Sequence, residues 1–473
     1  MSIAHTRRAF GNVGSYLAAW FCALNRSSPK HVLLPTRDAM QLETRLIWLE
    51  VAALARLVTA PAGTANLVTA SAPWFDVLLP MLGYGLAVFA VVCALLLPTA
   101  RSVPPAIRWM SWVTRPALVA GLVIWCSLTL QAVLVSEPIF NNDANLVTAC
   151  SAQSVLAHKD PYSQSILACA HELHAPLTIE SPIARGELSQ FRYAPPLQVQ
   201  VAVAKSGLRH HQRSAAFPGI AYPPLATLWM VPVISLPRWA SVVWTLALFA
   251  AWTLLLCSRA KRSMWPLVLT VVLLQSGAGT ALHGALFGDG EIISYIMMGF
   301  AVLWLERPIV SSVALALAVG SNQLAWVMLP AMALVSIRMF RDWHLRLPVF
   351  VGTSLVLVGP WLIIDPAAIR TILGLFGQPT FPAGEGLVAL VTNHTLPLFP
   401  RFAFEAITLA VIAATLAIGW TRPRLVLLCL PLSCAAFWFN WHSDPNYLSQ
   451  MLLLATALVV GVWGLDSDRI IAL

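Results

Sequence analysis

Apolar runs of membrane-crossing length alternate along the chain with short connectors rich in arginine, proline or glycine. The clearest runs lie at 73–98, 116–136, 238–257, 264–283, 347–364, 402–419, 424–439 and 447–464, each bounded by charge or proline. A helix needs roughly 20 mostly apolar residues to cross about 30 Å of hydrocarbon, because every backbone amide must be satisfied within the segment. Shorter runs at 290–305, 309–322 and 323–337 predict further helices. Glu50 and Arg56 interrupt the segment 45–60, which reads either as a span or as an interfacial helix. The pattern predicts an all-α, polytopic bundle of roughly 11–12 transmembrane helices, with juxtamembrane helices at its outer surface. No short fixed-period repeat is visible, which excludes a solenoid.

Composition strengthens this reading. Only 10% of the 473 residues are charged and 58% are hydrophobic, against about 25% charged in an ordinary soluble domain. A water-soluble surface cannot be built from so few charges. The net charge of +9 would by itself suit nucleic acid, but the arginines and lysines sit in short connectors, as expected of cytoplasmic loops. The expected partner is therefore the bilayer and not nucleic acid.

The charges also predict an orientation. Arg101, Arg108 and Arg115, then Arg259, Lys261 and Arg262, then Arg338, Arg341 and Arg346, and finally Arg422 and Arg424 belong on the cytoplasmic side. The long segments 137–237 and 365–402 then fall outside the cell. The same parity makes 222–236, with Pro223, Pro224 and Pro232, a helix lying on the outer surface instead of a span. It also calls for a crossing before residue 73, which favours 45–60 as a span. Arg7 and Arg8 precede a moderately apolar stretch at 9–24 that lacks a cleavage site, so it reads as a retained cytoplasmic tail. The expected organisation is a basic cytoplasmic tail with a possible first span over 1–72, the transmembrane bundle with its outer loop over 73–464, and a cytoplasmic tail over 465–473.

Of eight cysteines, Cys93, Cys126, Cys257, Cys429 and Cys434 lie inside apolar runs and act as small hydrophobes. Cys150 and Cys169 share the polar loop, where a bridge would form only if that loop faces an oxidising compartment. No Cys/His metal spacing exists; His171 and His174 are three apart but lack a third ligand.

Ionisable residues clustered in one outer loop beside aromatics point to chemistry, because they are costly to place near a membrane. Asp143, just beyond the exit of the 116–136 run, reads either as the N-cap of a helix over 144–158 or as a general base toward a hydroxyl held at the bilayer surface. Spacing alone favours the cap. Asp289 and Glu291 read as an outer turn, able to bind sugar hydroxyls or simply to cap. His442 and Asp444 either shape an acceptor site or solvate a tight loop. Trp326 and Trp441 suit sugar stacking and an interfacial belt equally.

A series of short elements shifts that balance. After Asp143 come His158-Lys159-Asp160-Pro161-Tyr162, Tyr222-Pro223-Pro224-Leu225, Gly288-Asp289-Gly290-Glu291, Gln323-Leu324-Ala325-Trp326 with Pro330, and Asn446-Tyr447. In that order, over about 116–464, they resemble glycosyltransferase family 87 of the GT-C superfamily; each element alone is weakly specific. The resemblance implies a GT-C-type bundle that takes a hexose, mannose foremost, from a polyprenyl-phosphate sugar without a metal or other cofactor. It implies transfer on the extracytoplasmic side to a lipid-linked or envelope acceptor, with Asp143 as the catalytic residue. Donor or acceptor binding would fall to Asn142, Tyr162, Arg192, Tyr193, Tyr222, His283, Asp289, Glu291, Asn322, Gln323 and His442. One departure stands out: similar sequences place a lysine where this chain has Asn322, so a phosphate would need its countercharge from Arg192, His283 or Arg401. Two alternatives stay open. A transporter or flippase fits the interruption at Gly320-Ser321-Asn322, which resembles a broken helix, and the missing lysine fits an inactive relative.

Overall fold

The computed structural model describes residues 39–59, 74–96, 120, 123, 124, 127, 143–162, 169–170, 172–173, 222–236, 239–276, 291–364, 372, 383–384, 386–392, 396–397, 399–440, 442–443 and 445–463. Almost all of the run read at 116–136 lies outside them.

Among the described residues the regular structure is helical apart from one pair of two-residue strands. Five helical segments are long and apolar enough to cross a membrane: Leu78–Leu96, Trp239–Arg259, Gln323–Phe340, Trp343–Ile364 and Arg401–Thr421. A 21-residue helix is about 31 Å long, the thickness of the hydrocarbon layer. Shorter apolar helices, among them Glu291–Leu303 and Pro308–Ser321, fill the spaces between them. Trp343–Ile364 leaves Leu355, Val356, Ile363 and Ile364 between 63% and 82% exposed. In water such a stripe would exceed what a soluble monomer tolerates; facing lipid, it costs nothing.

Helix α1 (Ala39–Thr59) is the element that the sequence left undecided, and it lies in the core. It packs against α2 (Trp74–Leu96), α6 (Trp265–Ser276, which follows α5, Trp239–Arg259) and the C-terminal helix, Pro445–Trp463. Leu42, Leu46, Leu49, Ala52 and Ala53 are fully enclosed. So are Arg45, Glu50 and Arg56, each at most 2% exposed. An interfacial helix would keep those charges in water. Here the Arg45 guanidinium lies 3.8 Å from the Trp463 ring centre and donates to the Ala94 carbonyl, and Arg56 sits over the Tyr84 ring at 5.8 Å.

The remaining core is built from α7 (Glu291–Leu303), α8 (Pro308–Ser321) and the C-terminal helix, with α5 against α7. After α8 the chain runs through a 3-10 turn (Gln323–Val327) into α9 (Met328–Val335), a π turn (Ser336–Phe340) and α10 (Trp343–Ile364). The runs read at 290–305, 309–322 and 323–337 are thus all helical, with the break where the sequence placed it.

Arg346, read with the charges of a short cytoplasmic connector, stands in the first turn of α10 and is buried. It bonds Asp342 at 2.6 Å and donates to the Leu305 carbonyl.

Two-residue strands β1 (Ala383–Gly384) and β2 (His442–Ser443) pair in parallel, Ala383 opposite His442. Gly386, just before α11 (Leu387–Thr392), has φ +82°, and a Cβ there would lie 2.2 Å from the Trp438 carbonyl oxygen. Trp438 in turn stacks on Tyr84, whose hydroxyl donates to the Ala435 carbonyl at 3.1 Å. Gly386→Ala is expected to cost about 1–3 kcal/mol for the left-handed backbone and the collision, read as a lower unfolding midpoint in detergent. An unchanged midpoint would show that this turn is not held against Trp438.

Candidate functional site

The site is built around the broken helix. Helix α8 ends at Ser321, and Asn322 is extended (φ −152°, ψ 138°) before the 3-10 turn resumes. Its side chain holds both ends of the break. Asn322 Oδ1 accepts from the Leu324 amide at 2.9 Å, capping the turn, while Nδ2 donates to Glu291 Oε1 at 3.4 Å. Glu291 stands in the first turn of α7, the helix expected over 290–305, and its other oxygen accepts from the Tyr295 hydroxyl at 3.3 Å. Ser294 ties α7 to α8 by donating to the Ala318 carbonyl at 3.1 Å. The Trp326 indole donates to the Val319 carbonyl at 3.0 Å and so spans the break itself. Gln323 and Asn322 are 5% and 2% exposed, so both belong to the frame of the break as much as to any surface.

Helices from the 137–237 region are packed onto this break. Helix α3 (Asp143–Leu156) packs on α4 (Pro224–Ile234), and α4 packs on α8. Two prolines at the start of α4 suit a helix entry, since a first-turn proline forfeits no intrahelical bond. The segment read at 222–236 is thus a short helix seated on the bundle. Trp229 of α4 donates to Ser321 Oγ at 2.9 Å, immediately before the break. Gly320 gives Leu225 its seat: a Cβ at 320 would come within 2.7 Å of the leucine methyl.

Between α3 and α4, Asp160 accepts from the Tyr162 amide at 3.0 Å, an Asx-type turn. That turn points buried Tyr162 at the Tyr222 carbonyl, to which its hydroxyl donates at 3.1 Å. Tyr162 and Ile372 form a small apolar cluster with Val147, Tyr222 and Trp326. Four of the sequence elements therefore meet here: the helix opened by Asp143, Asp160-Pro161-Tyr162, Tyr222-Pro223-Pro224-Leu225, and Gln323–Val327. Asp143 begins α3 one turn, about 6 Å along the axis, before Val147.

Other predicted positions stand differently. Arg401 is ion-paired with Glu405 at 2.7 Å at the start of the helix Arg401–Thr421, so its charge is already engaged. His442 lies in β2, away from the break in sequence but fixed by the pairing with Ala383. Asn142, Arg192, Tyr193, His283, Asp289, His171 and His174 lie outside the described residues, as do the side chains of Asp143 and His442. Sequence reasoning missed Tyr295 and Trp229. Tyr295 carried a usable signal, four residues after Glu291 on a helix, where side chains meet; Trp229 carried none, because its partner is 92 residues away.

Cys150 and Cys169 are disulfide-bonded, fastening α3 to the segment that follows it. The loop closed by a separation of 19 residues is of the size for which a cross-link contributes about 3 kcal/mol. Maleimide is expected to modify neither cysteine in the denatured protein until a reductant is added. Labelling of Cys150 or Cys169 without reductant, located by peptide mapping, would contradict the bridge.

No protein-family model matches the chain, and neither a curated protein nor a solved structure is significantly similar to it.

Proposed function

We propose that this membrane protein is a GT-C-type hexosyltransferase that uses a polyprenyl-phosphate sugar, mannose foremost, as donor. Asp143 takes the proton from an acceptor hydroxyl on a lipid-linked or envelope molecule. The freed oxygen attacks the anomeric carbon, the bond from that carbon to the phosphate oxygen breaks, and polyprenyl phosphate leaves with its electron pair. A single displacement inverts the anomeric configuration. The neutral Asn322 can donate a hydrogen bond but offers no countercharge to that phosphate. In this reading Tyr162, Tyr222 and Trp326 wall the sugar, and Glu291 receives its hydroxyls.

One observation carries the proposal: elements far apart in the chain, at Val147, Tyr162, Tyr222 and Trp326, share a single cluster beside the break at Asn322. The bridge between Cys150 and Cys169 supports an oxidising, extracytoplasmic location for the same region. The test is incubation of the purified protein, reconstituted in liposomes, with labelled polyprenyl-phosphate mannose and membrane lipid acceptors. Covalent transfer of label is the expected result. The broken helix at Asn322 favours one rival, a transporter or flippase. Movement of labelled lipid or solute across the bilayer with no transferred product would replace the transferase by that rival.

A further inference from the structure

The end of the bundle opposite the candidate site carries a second set of features that the proposed reaction does not use. Two connectors meet there: the π turn Ser336–Phe340 leading into α10, and the 3-10 turn Pro423–Leu428 that follows the helix Arg401–Thr421, here α12. These turns and the residues flanking them hold Arg338, Arg341, Arg422 and Arg424 and one carboxylate, Asp342, which is followed by Arg346 at the start of α10. Asp342 is buried and already bonded to Arg346. The exposed charges of Arg341, Arg422 and Arg424 therefore face outward with no anion beside them on these connectors.

Apolar and aromatic groups flank those charges. Trp343 and Trp420 are each 52% exposed at the ends of α10 and α12, the position of headgroup-level tryptophans. Arg338 holds Trp420 in place, lying 4.9 Å over its ring and donating to its carbonyl at 2.7 Å. Ile337 of the π turn, Leu347 and Val351 of α10 and Ile418 of α12 are exposed apolar side chains at the same ends of these elements. Arg341 is held in the left-handed conformation (φ 55°), which turns the chain sharply between the π turn and α10.

We infer that this face binds an anionic glycerophospholipid, its phosphate against Arg341, Arg422 and Arg424 and its chains along Ile337, Leu347 and Ile418. Charge complementarity selects the occupant: a zwitterionic lipid would bring a cation toward the same arginines, whereas an anionic headgroup brings only negative charge. Each arginine near an anionic lipid surface contributes roughly fivefold to affinity. This inference does not depend on the sugar-transfer reading.

The experiment is native mass spectrometry of delipidated protein titrated with phosphatidylglycerol or phosphatidylcholine. Phosphatidylglycerol is expected to bind on the order of a hundredfold more tightly, three arginines at about fivefold each. The triple variant Arg341→Gln, Arg422→Gln, Arg424→Gln is expected to lose that preference while keeping its unfolding midpoint in phosphatidylcholine. Lys261→Gln with Arg262→Gln, which removes two exposed charges from a different connector, is expected to keep the preference. Equal binding of the two lipids by the wild type, or equal loss in both variants, would overturn the inference and leave only unspecific attraction to basic loops. If the triple variant unfolds early, Arg422→Gln alone, on the connector and away from helix packing, is expected to weaken phosphatidylglycerol binding about fivefold; no weakening overturns the site.

Discussion

Asp143→Asn is expected to lower sugar transfer by about 10²–10⁴-fold, the usual contribution of a general base, while the protein still folds and still binds the polyprenyl-phosphate donor. The amide retains the size and hydrogen-bonding capacity of the carboxylate but cannot accept the hydroxyl proton at neutral pH. The helix that Asp143 opens stays anchored, since α3 packs on α4 and is fastened by the disulfide at Cys150. Because asparagine is as good an N-cap as aspartate, a purely capping role predicts full retained transfer. The variant therefore separates the two roles that the sequence left open. The measurement is single-turnover transfer from labelled donor, with donor binding followed in parallel.

The largest expected effect on stability belongs to Asp342→Ala, far from the proposed chemistry. Asp342 and Arg346 are 6% and 5% exposed and bonded to each other at 2.6 Å, and Arg346 also joins Leu305 and faces the Phe340 ring at 5.2 Å. Removing the carboxylate leaves a guanidinium enclosed without its counterion. Breaking one partner of such a pair costs about 3–5 kcal/mol. Replacing both, as Asp342→Ala with Arg346→Met, is expected to recover most of the loss, because no buried charge remains. Denaturation in mild detergent would register both outcomes; a single variant as stable as the wild type would mean that water reaches this pair.

Much of the architecture was legible because hydrophobic run length is a strong signal in a bilayer. The break at Gly320-Ser321-Asn322, the short proline-led helix after Tyr222 and the helical segments from 291 to 335 all fall where composition placed them. Run length says nothing, however, of which neighbours will enclose a charge. Glu50 and Arg56 made α1 read as uncertain, yet it is buried because Trp463, Ala94 and Tyr84, distant in sequence, receive its arginines. The burial of Arg346 was hidden for the same reason: its counterion is local, but the Leu305 carbonyl that completes its surroundings is 41 residues away. Strands of two residues, such as β1 and β2, carry no periodicity to detect. At the candidate site the order of the elements suggested that they belong together. Their actual meeting, through the Tyr162 hydroxyl on the Tyr222 carbonyl and Trp326 in the same cluster, required the fold.

The central claim is that a lipid-borne phosphate sugar binds beside the break at Asn322, within reach of the start of α3. Electron cryomicroscopy of the protein in nanodiscs with bound polyprenyl phosphate tests it most directly. The account predicts headgroup density between Asp143 and the turn Gln323–Val327, lined by Tyr222 and Trp326. Density at the arginine-rich end, or a start of α3 closed off from any opening to the bilayer, would contradict it.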